Sequence, residues 1–274
     1  MGNAIPLISV LMGVYYRRED LGLLQRAVDS VLCQTENSFE FLICDDGSLP
    51  SAQQYLEACA EKDSRIRLIR GVSNTALAAK LNACLRAAKG TYIARMDDDD
   101  YSVPERFVKQ AAFLQEHPQI SFVGSNVRLI QNNEFAGVRK LPEHPAVRDF
   151  YFVQPYIHPA LMFRKKALTD VGGYSESSSC LLCEDYDLLL RLYGNGCTGA
   201  NLQGLLLDYT VFDNAGKRMM RHRWNECVTR YQRFRELNVL PKAWPYVLKP
   251  LLVGLVPSAV LRKCKAVVYA KNSA

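Results

Sequence analysis

The chain has 274 residues, enough for one large domain or a domain with an appendage. Its 49% hydrophobic and 23% charged residues describe a globular protein and exclude a disordered or fibrous one. The net charge of +6 is unevenly laid: from Asn214 onward there are 13 Lys plus Arg against two Glu, a net of +11, which leaves −5 for residues 1–213.

Leu7 to Tyr15 is apolar and reads as a first strand, and Met1 to Ala4 read as no secretory leader. A helix follows, with Leu21, Leu24, Val28 and Val31 at helical spacing. Phe39 to Cys44 is a second strand ending at Asp45-Asp46-Gly47-Ser48, and a polar helix covers about 51–62. Ile66 to Ile69 is a third strand, and Asn74 is expected to start a helix carrying Leu77, Leu81 and Leu85 on one face. The fourth strand, Thr91 to Met96, runs into Asp97-Asp98-Asp99-Asp100. Ser102 and Glu105 then have the spacing of a capping box, with Pro104 in the first turn of a helix that reaches His117-Pro118. Ile120 to Ile130 is a further strand. Strands alternating with helices imply a mostly parallel, doubly wound α/β sheet, whose ligands bind beyond the carboxyl ends of the strands.

Both acidic clusters fall at such ends. Four adjacent carboxylates repel one another unless a cation or strong hydrogen bonding compensates. Oxygen ligands at a strand end suit Mg²⁺ or Mn²⁺, which in turn holds phosphates.

The second half is less regular. His144 to Tyr156 reads as a loop with a short helix, Leu161-Met162-Phe163 as a short strand and Gly172-Gly173-Tyr174 as a turn. Glu184-Asp185-Tyr186-Asp187 opens a helix through Leu192, Leu205 to Phe212 is a strand, and Trp224 to Leu237 is a basic amphipathic helix. The nine cysteines are odd in number and irregularly spaced, unlike a secreted disulfide framework, and the lone Cys180–Cys183 pair has no partner pair to make a zinc site. Residues 214–274 divide from residues 1–213 as a basic helical extension. Tyr246 to Leu261 is apolar, broken by Pro250, Gly254 and Pro257, and followed by Arg262, Lys263 and Lys265. It is too short and broken to span a bilayer but suits an anionic membrane interface. The alternative is a helix packed on the domain or on a second copy of the chain in a homodimer. The tail carries no nucleic-acid motif, so no nucleic-acid partner is expected.

These segments together resemble the family 2 glycosyltransferases, inverting enzymes with the GT-A fold, over about residues 6–212. The matching pieces are Ile8 to Tyr15, Ala27 to Thr35, Cys44 to Ser48, Ala94 to Asp100, and Gly172-Gly173-Tyr174 with Glu184 to Leu188. Ile157-His158-Pro159-Ala160-Leu161-Met162-Phe163-Arg164 is similar to the bacterial enzymes of capsule, exopolysaccharide and lipopolysaccharide synthesis. The resemblance implies a UDP-sugar donor, with Val14, Tyr15, Asp45, Asp46, Asn74, Lys80, Asp97 and Asp98 around the nucleotide and sugar. It implies Asp99 and Asp97 as the metal positions of a DXD motif holding Mn²⁺ or Mg²⁺. Asp185 takes the place of the catalytic base. His158, Glu184, Lys217 and Arg218 fall where acceptor or diphosphate is contacted. The implied reaction moves a hexose to a growing, lipid-linked surface glycan at the inner face of the cytoplasmic membrane. A nucleotide-sugar binding module without turnover is the alternative. Gly13, Ala76, Leu81 and Phe212 depart from the family's usual pattern.

Overall fold

The computed structural model describes residues 6–71, 76–212 and 220–256. In the first half β1 (Ile8–Val14), α1 (Gly22–Leu32), β2 (Phe39–Asp45), α2 (Pro50–Lys62), β3 (Ile66–Arg70), α3 (Leu77–Ala87) and β4 (Tyr92–Arg95) alternate as expected. Then come β5 (Tyr101–Ser102), α4 (Arg106–Glu116), β6 (Phe122–Gln131), β7 (Glu134–Arg139), β8 (Met162–Arg164), α5 (Lys165–Asp170), α6 (Glu184–Gly194), β9 (Gly199–Thr210), α7 (Met220–Glu236) and α8 (Leu240–Leu255).

The strands form one sheet in the order β3-β2-β1-β4-β8-β6-β9-β5, with β7 beside β6. The pairings β3–β2, β2–β1, β1–β4 and β6–β9 are parallel, while β8 runs antiparallel to both β4 and β6. Helices cover both faces, so β1 and β2 are buried at every residue and read as continuous apolar runs. On one face Val10, Met12 and Ile43 pack with Leu24, Val28, Leu56 and Phe107. On the other, Leu11, Leu42 and Ile93 pack with Leu81, Leu85, Leu188 and Leu192. That second core continues into Phe234 of α7 and Ala243 and Val247 of α8.

The capping box expected at Ser102 does not form. Ser102 belongs to β5 and pairs with Leu207 of β9, its N–H bonded to Ser30 Oγ at 3.0 Å, and α4 starts only at Arg106 without a side-chain cap. A long-range strand pairing has taken the residue that local spacing assigned to a cap. The hairpin strand β7 was not anticipated. It is closed by Asn132 and Asn133, whose positive φ values of 51° and 63° suit a two-residue turn. The helix start read at Asn74 lies outside the described residues, and α3 begins at Leu77.

Asp187 ties the C-terminal helices to the domain. It is fully buried, and its carboxylate accepts from Arg191 Nε at 2.7 Å and from Arg233 Nε of α7 at 2.8 Å. Arg191 in turn donates to the carbonyls of Val171 and Gly173, at 2.6 and 2.8 Å. Removing one partner of such a buried group leaves charge uncompensated, at a cost of about 3–5 kcal/mol. Both guanidiniums keep some solvent contact, so Asp187→Ala is expected to lower unfolding free energy by about 3 kcal/mol in urea denaturation.

Candidate active site

Strand order reverses between β1 and β4, the place where an open α/β sheet leaves a crevice at its strand ends. A cavity of about 390 Å³ opens there, lined by Gly13 and Tyr15 from β1 and the residue after it, Leu77 and Lys80 from α3, Asp97, Asp98 and Asp99 after β4, Tyr209 and Thr210 of β9, and Phe212. Gly13 is what lets α3 lie this close. A Cβ there would stand 2.9 Å from Leu77 Cδ1 and 3.1 Å from Lys80 Cβ. The close approach brings Lys80 Nζ to 3.2 Å from Asp46 Oδ2, both side chains being nearly solvent-free.

The acidic run is held from behind. Arg95, 1% exposed, donates to Asp97 Oδ1 and to the carbonyls of Leu11 and Met96. Arg106, fully buried, donates to the Arg95 carbonyl at 2.7 Å. Asp100 is also buried and accepts the Thr210 N–H at 2.8 Å, which pins the run to β9. From the other side Arg26 donates to the Asp99 carbonyl at 3.0 Å and to Thr210 Oγ1 at 2.9 Å.

Carboxylate oxygens of Asp97, Asp99 and Asp100 all lie within 4.8 Å of one another. Asp100 Oδ2 is buried with no hydrogen-bond partner among the described residues. Burial, aided by the neighbouring charges, pushes Asp98 up to about 7 and Asp99 to about 6, and holds Asp100 well above the usual carboxylate range. Crowded carboxylates with an unpartnered oxygen and a shared reluctance to ionise fit a hard divalent cation.

Beyond Tyr209 and Tyr174 stands a second acidic pair at the N-terminus of α6. Asp185 accepts the Tyr186 N–H at 2.8 Å through Oδ1 and Gln154 Nε2 at 2.9 Å through Oδ2. Glu184 is pushed up to about 7 by burial and then by the Asp185 charge, and its Oε2 is buried without a partner among the described residues. Burial raises the Tyr174 phenol, and Asp185, Asp97 and Glu184 all add to the rise; Tyr209 likewise feels Asp100, Asp97 and Asp185. The two acidic groups are therefore close enough to act on the same two tyrosines, of which Tyr209 lines the cavity and Tyr174 is buried.

A family model described as glycosyl transferase family 2 matches residues 9–172. The chain is 34% identical over 266 residues to EpsE of Bacillus subtilis (strain 168), covering 95% of this chain and 94% of that protein. The chain belongs to glycosyl transferase family 2. It is also 25% identical over 277 residues to the UDP-Gal:alpha-D-GlcNAc-diphosphoundecaprenol beta-1,3-galactosyltransferase of Escherichia coli, covering 96% of this chain and 99% of that one. The mannosyltransferase PcManGT from Pyrobaculum calidifontis, solved with GDP-Man and Mn²⁺, superposes with a TM-score of 0.64 at 16% identity over 97% of this chain and 81% of that one. At that identity the likeness is one of fold, and the fold is the GT-A type.

In this glycosyltransferase most of the sequence-derived positions converge. Tyr15, Lys80, Asp97, Asp98 and Asp99 line the cavity. Val14 is buried in the core, so only its backbone can face the crevice. Asp45 is occupied by Ser48, by Gln53 at 3.2 Å and by Arg70 at 3.7 Å, which shape the turn after β2. Asn74, Lys217 and Arg218 lie outside the described residues. The reading of His158 as an acceptor or diphosphate contact does not fit its surroundings. It is 8% exposed, with Nε2 2.9 Å from Tyr174 Oη, and burial beside Arg95 holds it neutral, well below the usual histidine range. His158 supports Tyr174 from behind the cleft. Asp100, read from sequence as part of the acidic run, is the buried member that pins it to β9. Arg95, Tyr174 and Gln154 were given no role from sequence; of these, Arg95, a lone cation inside an apolar strand, carried a visible signal.

The raised carboxylates set a pH dependence. Asp98 and Asp99 have folded-state values above the unfolded ones, so the native state binds more protons between about pH 4 and pH 7. Stability of the metal-free enzyme should fall as pH rises through that window. Thermal melts in EDTA from pH 5 to 7.5 should show the decline, and Asp98→Asn should flatten it.

Proposed function

We propose that this glycosyltransferase moves a hexose from a UDP-sugar, with inversion and with Mn²⁺ or Mg²⁺, to a hydroxyl of a lipid-linked bacterial surface glycan. The carboxylate cluster of Asp97, Asp99 and Asp100 beside the switch-point cavity carries the reading. A bound cation there would offset charge on the departing diphosphate. Lys80 lines the same cavity and is held by the buried Asp46 behind it, which supports a uracil or ribose contact on that side. The Escherichia coli relative is named for the same donor type and for a diphosphoundecaprenol-linked acceptor, which supports both halves of the reading.

Asp185 serves as general base. Its carboxylate is fixed through both oxygens yet keeps lone pairs free for an acceptor hydroxyl. Removal of the hydroxyl proton as the oxygen attacks the anomeric carbon gives inversion in one displacement. Glu184, held up to about 7 with its Oε2 unpartnered among the described residues, would donate to the same acceptor.

The C-terminal helices suit a membrane surface. No described helix is long and apolar enough to cross a membrane. α8 nevertheless exposes Trp244, Leu248, Leu252 and Leu255, spaced along one face, and the region from Asn214 carries the +11 charge. Apolar residues beside cations favour the interface of an anionic bilayer at the inner face of the cytoplasmic membrane.

UDP release from a panel of UDP-sugars, with Mn²⁺ or Mg²⁺ against EDTA, tests the donor and the metal together. One donor should be turned over, and EDTA should stop it. Asp185→Asn should lower turnover at least 1,000-fold, roughly the loss of a positioned base plus the nucleophile's poor alignment, with UDP binding intact. Asp99→Asn should instead weaken metal-dependent UDP binding in calorimetry. On the membrane, the triple change Trp244→Ser, Leu248→Ser, Leu252→Ser should abolish flotation with vesicles containing anionic lipid while leaving UDP affinity unchanged.

A further inference from the structure

The contacts around Asp185 lead away from the donor cavity to the C-terminal helices. The segment from Phe150 to Gln154 is held almost residue by residue. The Phe150 carbonyl accepts from Tyr186 Oη at 2.7 Å and from Arg230 Nη1 of α7 at 3.4 Å. The same Arg230 nitrogen reaches the Tyr151 carbonyl at 2.8 Å, and Arg230 is only 2% exposed. The Tyr151 ring packs against Phe234 of α7 and Tyr246 of α8, with ring centres 5.4 and 5.5 Å apart. Lys249 of α8 donates to the Phe152 carbonyl and lies 3.6 Å from the centre of the Phe152 ring. The Gln154 carbonyl accepts from Arg139 at 3.0 Å.

At the end of this segment the Gln154 side chain meets the base. Nε2 donates to Asp185 Oδ2 at 2.9 Å and to the Tyr156 carbonyl at 3.3 Å. Both partners are acceptors, so the amide orientation is set by the network. A neutral donor fixes the carboxylate without cancelling its charge, as a paired arginine would.

We propose that Gln154 is a positioning residue for Asp185, and that α7 and α8 set it in place through the Phe150–Gln154 segment. This rests on reading Asp185 as the base. The C-terminal helices then serve the transfer step itself, in addition to any surface they dock on. A base free to rotate leaves the geometry that makes proton removal concerted with attack, and misplacement by about 1 Å costs up to about 100-fold in rate.

The test uses the full chain and the metal-dependent release of UDP from its active UDP-sugar, with water as the acceptor. Gln154→Met keeps the length of the side chain and removes the donor. It should lower kcat about 10- to 100-fold, with KM for the donor and calorimetric UDP affinity within twofold of the parent. Lys249→Met, acting through Phe152, should lower kcat in the same direction by a smaller factor. Combined with Asp185→Asn, Gln154→Met should add nothing further. If Asp185→Asn is inactive while Gln154→Met turns over within twofold of the parent, the positioning role is wrong and the base stands. A loss of donor affinity with Gln154→Met, or a further loss on top of Asp185→Asn, also overturns it, because Gln154 then acts elsewhere. Activity retained in Asp185→Asn removes the base reading itself, independently of Gln154. Should Gln154→Met fail to fold by circular dichroism, Gln154→Ser carries the same expectations.

Discussion

Four aspartates can share one turn only because positive charge lies fixed beneath them. Arg95 and Arg106 are both buried under the run, the first bonded to Asp97 and the second to the Arg95 carbonyl. Buried guanidiniums are themselves costly unless their donors are satisfied. Here the surrounding carbonyls of Leu11, Met96 and Leu161, with the side chain of Gln110, take most of them. This sets the geometry of the neighbourhood. β1 and β4 must end in register, β8 must pass close enough to offer Leu161, and α4 must start where Arg106 can point inward. The remaining excess of negative charge shows in the raised values of Asp98, Asp99 and Asp100, and gives a cation a reason to bind there.

The parallel half of the fold was legible because its signals are local. Runs such as Ile8–Val14 and Phe39–Asp45 are mostly apolar and buried throughout, and the first ends at residues that line the crevice. The strand end before Asp97 and Asp99 and the helix start at Asp185 were legible for the same reason, while the roles proposed for these residues came with the family resemblance. What escaped was decided by partners far away in sequence. Ser102 looked like a cap until β9 claimed it, 105 residues on at Leu207. His158 looked available until Tyr174 covered it. Gln154 had no pattern at all, and its importance rests on Asp185, 31 residues later. The Asn132-Asn133 turn was a signal that could have been used, since adjacent asparagines accept the left-handed backbone a tight hairpin needs.

The Gly172-Gly173-Tyr174 turn shows how a motif recognised by resemblance acquires a physical reason. Gly173 has φ of +71°, and a Cβ on it would stand 2.7 Å from Asn82 Oδ1. Asn82 uses that closeness. Its Oδ1 accepts the Tyr174 N–H at 2.9 Å, while its Nδ2 donates to the Tyr174 carbonyl at 2.8 Å and to Glu176 at 2.7 Å. With Arg191 holding the carbonyls on the other side, the turn is clamped, and Tyr174 stands fixed between the Asp run and Asp185.

Lys80 and Asn82 lie two positions apart on α3 and so point to nearly opposite sides of it. One reaches Asp46 beyond the end of β2; the other grips the turn that seats Tyr174. A single helical turn thus serves as the common axle of two contacts, one behind the cavity and one on the Tyr174 turn, each a half of what α3 holds. Adding or deleting one residue there would rotate the remainder of the helix by about 100° and unseat one half whichever way it was made. Over the course of divergence α3 is therefore a segment that can change its letters but not its count.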